Sequence, residues 1–179
     1  MSLSSEGTPE LVAFEQLVAE YEDRVYGIAL RITGSPTDAE DIMQDAFLDA
    51  FRAWPSFRGD AAPTTWLYRI AVNAALKRTR SHQPVEYLSE QVETDGEIAD
   101  WSGDVAQAAL QNEVQRCLED GITRLPQELR LVLILRDVEG LSTAEASAIL
   151  GLPESNVKSR LHRARLVLRR QLSDLFADR

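Results

Sequence analysis

Cysteine is almost missing from this chain of 179 residues: Cys117 stands alone, which rules out an internal disulfide and a cysteine-based metal cluster. The two histidines, His82 and His162, are far apart in sequence and belong to no ligand-spaced group. A reducing cytoplasm fits such cysteine usage. Seven prolines and nine glycines are too few for a collagen-like or disordered chain. No apolar run approaches the roughly 20 residues that a membrane helix needs; the longest purely aliphatic one is Leu131 to Leu135. The first ten residues hold neither a basic end nor an apolar stretch, so no signal peptide is expected there. Nucleophile–base pairs and glycine-rich phosphate loops are also missing, with Gly34 and Gly59 each standing alone. No catalysis, cofactor, metal or small-molecule substrate is therefore expected.

Charge is plentiful and unevenly placed. The formal net charge of −10 argues at first against a nucleic-acid partner. Its distribution reverses that impression. Residues 1–82 carry −4 and residues 83–128 carry −9, whereas residues 129–179 carry +3. From Glu154 to Arg170 there are six basic residues and one acid; between Asp60 and Glu86 there are four basic residues and no acid. Two basic stretches are thus separated by an acidic one, and each is a candidate surface for an anionic partner.

Outside the middle the chain reads as helix. Leu11, Phe14, Leu17, Val18, Tyr21, Val25, Ile28 and Ile32 recur at three- and four-residue steps, and Gly34-Ser35-Pro36 ends that pattern. Thr37 and Glu40, at capping-box spacing, are expected to open a second helix. Its stripe runs through Ala39, Ile42, Met43, Ala46, Phe47, Ala50, Phe51 and Trp54 and is closed by Pro55. After a loop from Pro55 to Pro63, a third helix is expected from about Thr64 to Arg80, with Leu67, Ile70, Ala71, Ala74 and Ala75 inward. Arg69, Asn73 and Lys77 share another face of it. Periodicity then fails from Ser81 to Asp104, where acids, Pro84, Gly96 and Gly103 read as a flexible linker. Helix resumes at Ala108 to Leu125, with Leu110, Val114, Cys117, Leu118, Ile122 and Leu125 as its stripe and Cys117 as a small core residue. Pro126 opens another helix, which stops near Glu139-Gly140.

Residues 141–172, LSTAEASAILGLPESNVKSRLHRARLVLRRQL, are the most informative. Ser142 and Glu145 form a capping box, Gly151 supplies a turn, and Pro153 pre-sets the next helix, whose Val157, Leu161, Ala164 and Leu168 face inward. Two helices joined by a short glycine turn, the second one basic, make a helix-turn-helix. In that motif the second helix enters the major groove. Lys158, Ser159, His162 and Arg163 lie on its outer face, suited to base edges, while Arg160, Arg165 and Arg169 suit the backbone.

NVKSRLHRAR, residues 156–165, with ILGLPES before it, resembles region 4 of bacterial RNA polymerase sigma factors. DAEDIMQDAFLDAF, residues 38–51, resembles the region 2 helix that grips the polymerase, and TTWLYRIAVNAALKRTR, residues 64–80, the adjoining helix that opens the −10 element. The three stand in the family's order and spacing. An acidic linker in place of a middle domain is similar to the extracytoplasmic-function (ECF) subfamily. The resemblance implies an all-α fold of two small domains, region 2 at 8–83 and a helix-turn-helix region 4 at 107–179, joined by a linker at 84–106.

It implies partners as well: core RNA polymerase through its beta-prime and beta subunits, promoter DNA, and an anti-sigma factor, with no membrane insertion. Asp41, Gln44, Asp45 and Leu48 match the polymerase-binding positions. Arg58, Gly59, Asp60 and Ala61 correspond to the loop that pockets a flipped −10 base, beside the helix carrying Trp66, Arg69, Asn73 and Lys77. Trp66 suits either a core position or a stacking platform. Lys158, Ser159, Arg160, His162, Arg163, Arg165 and Arg169 fall on the −35 reader. A helix-turn-helix regulator that is no polymerase subunit would account for residues 107–179 but not for the two matches within 38–80. A helical mimic that only occupies a sigma factor's partner would have no use for the basic face from Lys158 to Arg169.

The acidic linker carries an expectation of its own. In free protein it is expected to lie against the basic faces and screen them, partially, since attraction fades beyond a Debye length of about 8 Å at physiological salt. Replacing Glu93, Asp95, Glu97, Asp100 and Asp104 by amides should raise the free protein's DNA affinity at low salt and impair initiation with polymerase. Fluorescence anisotropy across a salt series, with and without core enzyme, measures this. Unchanged low-salt affinity of the free protein would reduce the linker to a tether.

Overall fold

The computed structural model describes residues 9–57, 62–80 and 107–177, so the linker and the loop Arg58 to Ala61 lie outside the described residues. The described residues hold seven α-helices and no strand. They divide into two units, within residues 1–83 and 84–179.

In the first unit α1 (Pro9–Thr33), α2 (Pro36–Ala53) and α3 (Pro63–Arg80) pack pairwise on one another. The core is drawn from all three: Val25, Ile28 and Ile32 of α1, Ile42 of α2, and Leu67, Tyr68 and Val72 of α3 are essentially inaccessible. Fully burying each large apolar side chain stabilises the fold by roughly 1.5–3 kcal/mol. Ala39, Ala46 and Ala50 of α2 are fully buried as well, and their small size lets neighbouring helices approach closely. Thr64 Oγ1 donates to Tyr21 Oη at 2.9 Å, which ties the start of α3 to α1.

The second helix begins earlier than its sequence suggests. Ser35, in extended conformation, is the N-cap, and its hydroxyl accepts from the Asp38 amide. Thr37 and Glu40, expected as the cap, lie inside the helix. Ser35 and Asp38 have the same spacing, and Pro36 decides between the two sites: its fixed φ and missing N–H suit the first helical position. Gly34, at φ 71°, makes the left-handed step between α1 and α2.

In the second unit α4 (Gln107–Arg124), α5 (Gln127–Leu133), α6 (Thr143–Leu150) and α7 (Glu154–Ala177) follow, and α7 packs against the other three. Rather than ending, α5 widens into a π turn over Ile134–Val138. Arg130, partly buried, donates to the carbonyls of Thr123 and Leu125 at the end of α4, where a cation also meets the negative end of the helix dipole. Desolvation by that burial lowers its pKa from the ordinary arginine value. A Cβ on Gly121 would stand 2.7 Å from Leu168 Cδ1, so glycine permits the close approach of α4 to α7. The α4 stripe is less buried than its pattern implies. Ile122 and Leu125 are in the core, but Cys117 is only half-buried, and Val114 and Leu118 are 41% and 37% exposed. Among the described residues, the neighbours cover only the C-terminal end of that stripe.

Ser142 and Glu145 form the expected capping box: Ser142 Oγ accepts from the Glu145 amide at 3.2 Å, and the Glu145 carboxylate accepts from the Ser142 amide at 2.8 Å. Gly151 closes α6 in left-handed conformation, φ 64° and ψ 32°. Any residue with a Cβ is strained there, so Gly151→Ala should cost about 1 kcal/mol and Gly151→Asn less. Ser142→Ala should cost about 1 kcal/mol through the lost cap. Chemical denaturation followed by circular dichroism checks both, and a Gly151→Ala protein as stable as the parent would show that the turn tolerates a side chain.

Candidate functional site

The outer side of α2 is built by what its inner side must do. With Ala39, Ile42, Ala46 and Ala50 buried, Gln44, Asp45 and Leu48 are turned outward, and Leu48 is 52% exposed. Asp41 differs from its neighbours. Arg78 of α3 donates from Nε to Asp38 at 2.9 Å and from Nη2 to Asp41 at 2.8 Å, one guanidinium gripping two carboxylates a turn apart. Its pKa is raised, by the hydrogen bond to Asp38 first and by the charges of Asp38 and Asp41 besides. Arg78 and Asp38 carried no signal in sequence, since the pairs span 40 and 37 residues.

Arg69, Asn73 and Lys77 are all exposed on α3, on the side away from Leu67, Ala71 and Ala75. Trp66 belongs to an aromatic cluster at one end of the unit. Trp54 stacks on Phe57 at 5.6 Å and 10°, and Trp66 lies 4.9 Å from Phe57 and 6.0 Å from Trp54. Phe14 meets Phe51 and Trp54 edge-on. Trp66 is half-buried, so it packs on these rings while keeping part of its surface open. Arg58, Gly59, Asp60 and Ala61, between Phe57 and α3, fall outside the described residues.

On α7, Val157, Leu161, Ala164 and Leu168 are buried, and Lys158, Ser159, His162 and Arg163 are exposed. Ser159 Oγ donates to the Asn156 carbonyl at 3.1 Å, one turn back. Arg160 and Arg165 are placed differently. Arg160 Nη2 lies 3.0 Å from Glu128 of α5, and Arg165 forms a two-bond fork with Asp137, at 2.8 and 2.7 Å. The Arg165 pKa is raised, chiefly by that hydrogen bond. An open groove of about 770 Å³ beside this pair is lined by Leu118, Ile122, Leu133, Val138, Leu168 and Leu172. No group of three or more metal-ligating side chains occurs among the described residues, and no described helix is long and apolar enough to cross a membrane.

The described residues thus form a small helical unit with a polar-faced α2 and a second unit that carries an exposed basic helix-turn-helix. Residues 17–85 match the family described as Sigma-70 region 2, and residues 115–168 match Sigma-70, region 4. The ECF RNA polymerase sigma factor SigW of Bacillus subtilis is 36% identical over 169 residues, covering 91% of this chain and 90% of that protein. The ECF RNA polymerase sigma-E factor of Escherichia coli is also 36% identical, over 92% of this chain and 88% of that one. Among solved structures, CnrH in complex with the cytosolic domain of CnrY aligns at a TM-score of 0.67 and 27% identity, covering 92% of this chain and 90% of that chain. The chain belongs to the ECF family of RNA polymerase sigma factors.

Proposed function

We propose that the two units divide promoter recognition between them. The outer side of α2, through Asp41, Gln44, Asp45 and Leu48, docks on the beta-prime subunit of core polymerase. Arg69, Asn73 and Lys77 of α3, with Trp66 and the loop Arg58 to Ala61, receive the −10 strand. Lys158, Ser159, His162 and Arg163 of α7 read −35 base edges, and Arg169 holds the backbone. The observation that carries this reading is the outward set on α7: donors suited to guanine O6 and N7 stand exposed on a helix whose opposite side is buried, behind a capped helix and a glycine turn. The protein supplies address and opening rather than chemistry, and RNA synthesis belongs to the core enzyme. It acts inside the cell, where polymerase is, and an anti-sigma factor holds it inactive. CnrH, to which the chain is similar, is held in its structure by the cytosolic domain of another protein, CnrY, which supports a protein partner for this chain as well.

Core docking is tested by Gln44→Ala with Asp45→Ala. Both positions are exposed, so the double variant should keep its helicity and lose competition for core polymerase against the parent. Undiminished competition would mean that another face docks. For the −35 reader, Lys158→Ala and Arg163→Ala should each cost roughly 1–3 kcal/mol and relax preference at a single base position. Arg169→Ala should instead weaken all sequences alike and flatten the salt dependence. Binding of holoenzyme to duplexes varied base by base, over a salt series, reads both. Equal and sequence-blind losses from all three would leave α7 a general phosphate grip.

A further inference from the structure

Arg160 and Arg165 answer to acids of their own domain. At about 100° per residue, they fall on opposite flanks of the buried Val157–Leu161–Ala164–Leu168 stripe, each roughly 70° from its centre. Glu128 of α5 holds one flank and Asp137 holds the other. Asp137 stands in the π turn, where the Glu139 amide donates to the Ile134 carbonyl at 2.9 Å and the Leu141 amide donates to the Leu135 carbonyl at 3.0 Å. Arg136, in the same turn, donates to the Leu141 carbonyl. Glu139, Gly140 and Leu141 carry the chain from that turn to Ser142, the cap of α6. The Asp137–Arg165 pair therefore links the entry of the helix-turn-helix to the flank of its second helix.

We infer that Arg160 and Arg165 are positioning residues, which pair with Glu128 and Asp137 to stop α7 rolling about its axis and so aim Lys158 and Arg163 at base edges. The inference rests on α7 being the −35 reader. Side-chain tips lie about 5–6 Å from a helix axis, so a roll of about 15° moves them by about 1.5 Å. Directed along the bond, that displacement takes a donor from about 2.9 Å to about 4.4 Å, outside the bonding range; directed across it, it lengthens and bends the bond. Restraint on both flanks opposes roll in either direction, which one pair alone does not. A forked guanidinium–carboxylate pair also fixes orientation in a way that a point-charge contact does not. Releasing Arg165 to a phosphate would forfeit the fork and leave the Asp137 carboxylate close to DNA.

The pairs are partly exposed, and pairs of that kind shift an equilibrium by no more than about fivefold. The effect sought is correspondingly modest. Full-length protein with core polymerase would select from a duplex library randomised across the −35 element, and sequencing would give the preference at each base. Asp137→Asn and Arg165→Gln should each lower discrimination at several adjacent positions together, by about three- to fivefold. The double variant should be no worse than either single, the exchange Asp137→Arg with Arg165→Asp should recover part of the loss, and the slope of log affinity against log salt should not change. Glu128→Gln and Arg160→Gln should behave in the same way. A salt slope reduced by about one in Arg165→Gln, with Asp137→Asn unimpaired, would make Arg165 a phosphate contact and overturn the inference. Intact base preferences in all four variants, with only lower melting temperatures, would overturn it too, leaving the pairs merely structural. Lys158→Ala is the control for the reading beneath: if it leaves the selected sequences unchanged, α7 is not the reader and the inference falls with it.

Discussion

Val157, Leu161, Ala164 and Leu168 recur at four- and three-residue steps along α7, and burying them settles which way everything else on that helix points. The buried side is covered by α4, α5 and α6 together. Gly121 lets α4 come close enough to Leu168 for this, and Gly151 turns the chain so that α7 starts where it can pack back. Lys158, His162 and Arg163 are exposed because their neighbours are not. Which side chains such a helix presents is therefore set first by apolar packing and only then by the chemistry of its polar residues. The flanking ion pairs act at the margin between the two.

The first unit applies the same logic to α2 and α3. Ala39, Ala46 and Ala50 bring α2 close to its neighbours, and Gln44, Asp45 and Leu48 are left to face outward. Arg78 adds a polar link between the two helices. Because it holds Asp38 and Asp41 at once, it ties the rotation of α2 to that of α3. Asp41 thus belongs both to the internal contact and to the outward surface. Any partner that binds the Asp41 carboxylate must share it with Arg78 or displace it.

Much of this was legible in the sequence, because helices and their ends are local. The three-and-four period located each helix, and the Ser142–Glu145 box and Gly151 placed α6 and the turn after it. Where two local signals competed, the pattern misled: Thr37–Glu40 and Ser35–Asp38 share one spacing, and proline at the first helical position chose the second. The α4 stripe misled for another reason. A periodic apolar face states that a helix has something to cover, not that anything covers it, and Val114 and Leu118 remain exposed. Pairings across long separations were out of reach. Nothing near Arg165 in the chain announces Asp137, 28 residues away, nor does anything near Trp66 announce its contact with Trp54.

The charge of the chain takes on a different meaning once these pairs are counted. A formal −10 is no obstacle to DNA binding, since fields between exposed charges are screened within about 8 Å at physiological salt. What counts at such range is the local surface, and that of α7 is basic. Six basic residues stand there between Lys158 and Arg170, and Arg160 and Arg165 among them pair with acids of their own unit. An arginine held in such a pair is committed to an acid of its own unit, which fixes the orientation of its guanidinium. A free-standing regulator must find DNA on its own charge. A subunit that reaches the promoter as part of polymerase does not depend on its own charge alone. For such a subunit, arginines of α7 that are committed to Glu128 and Asp137 are compatible with binding DNA.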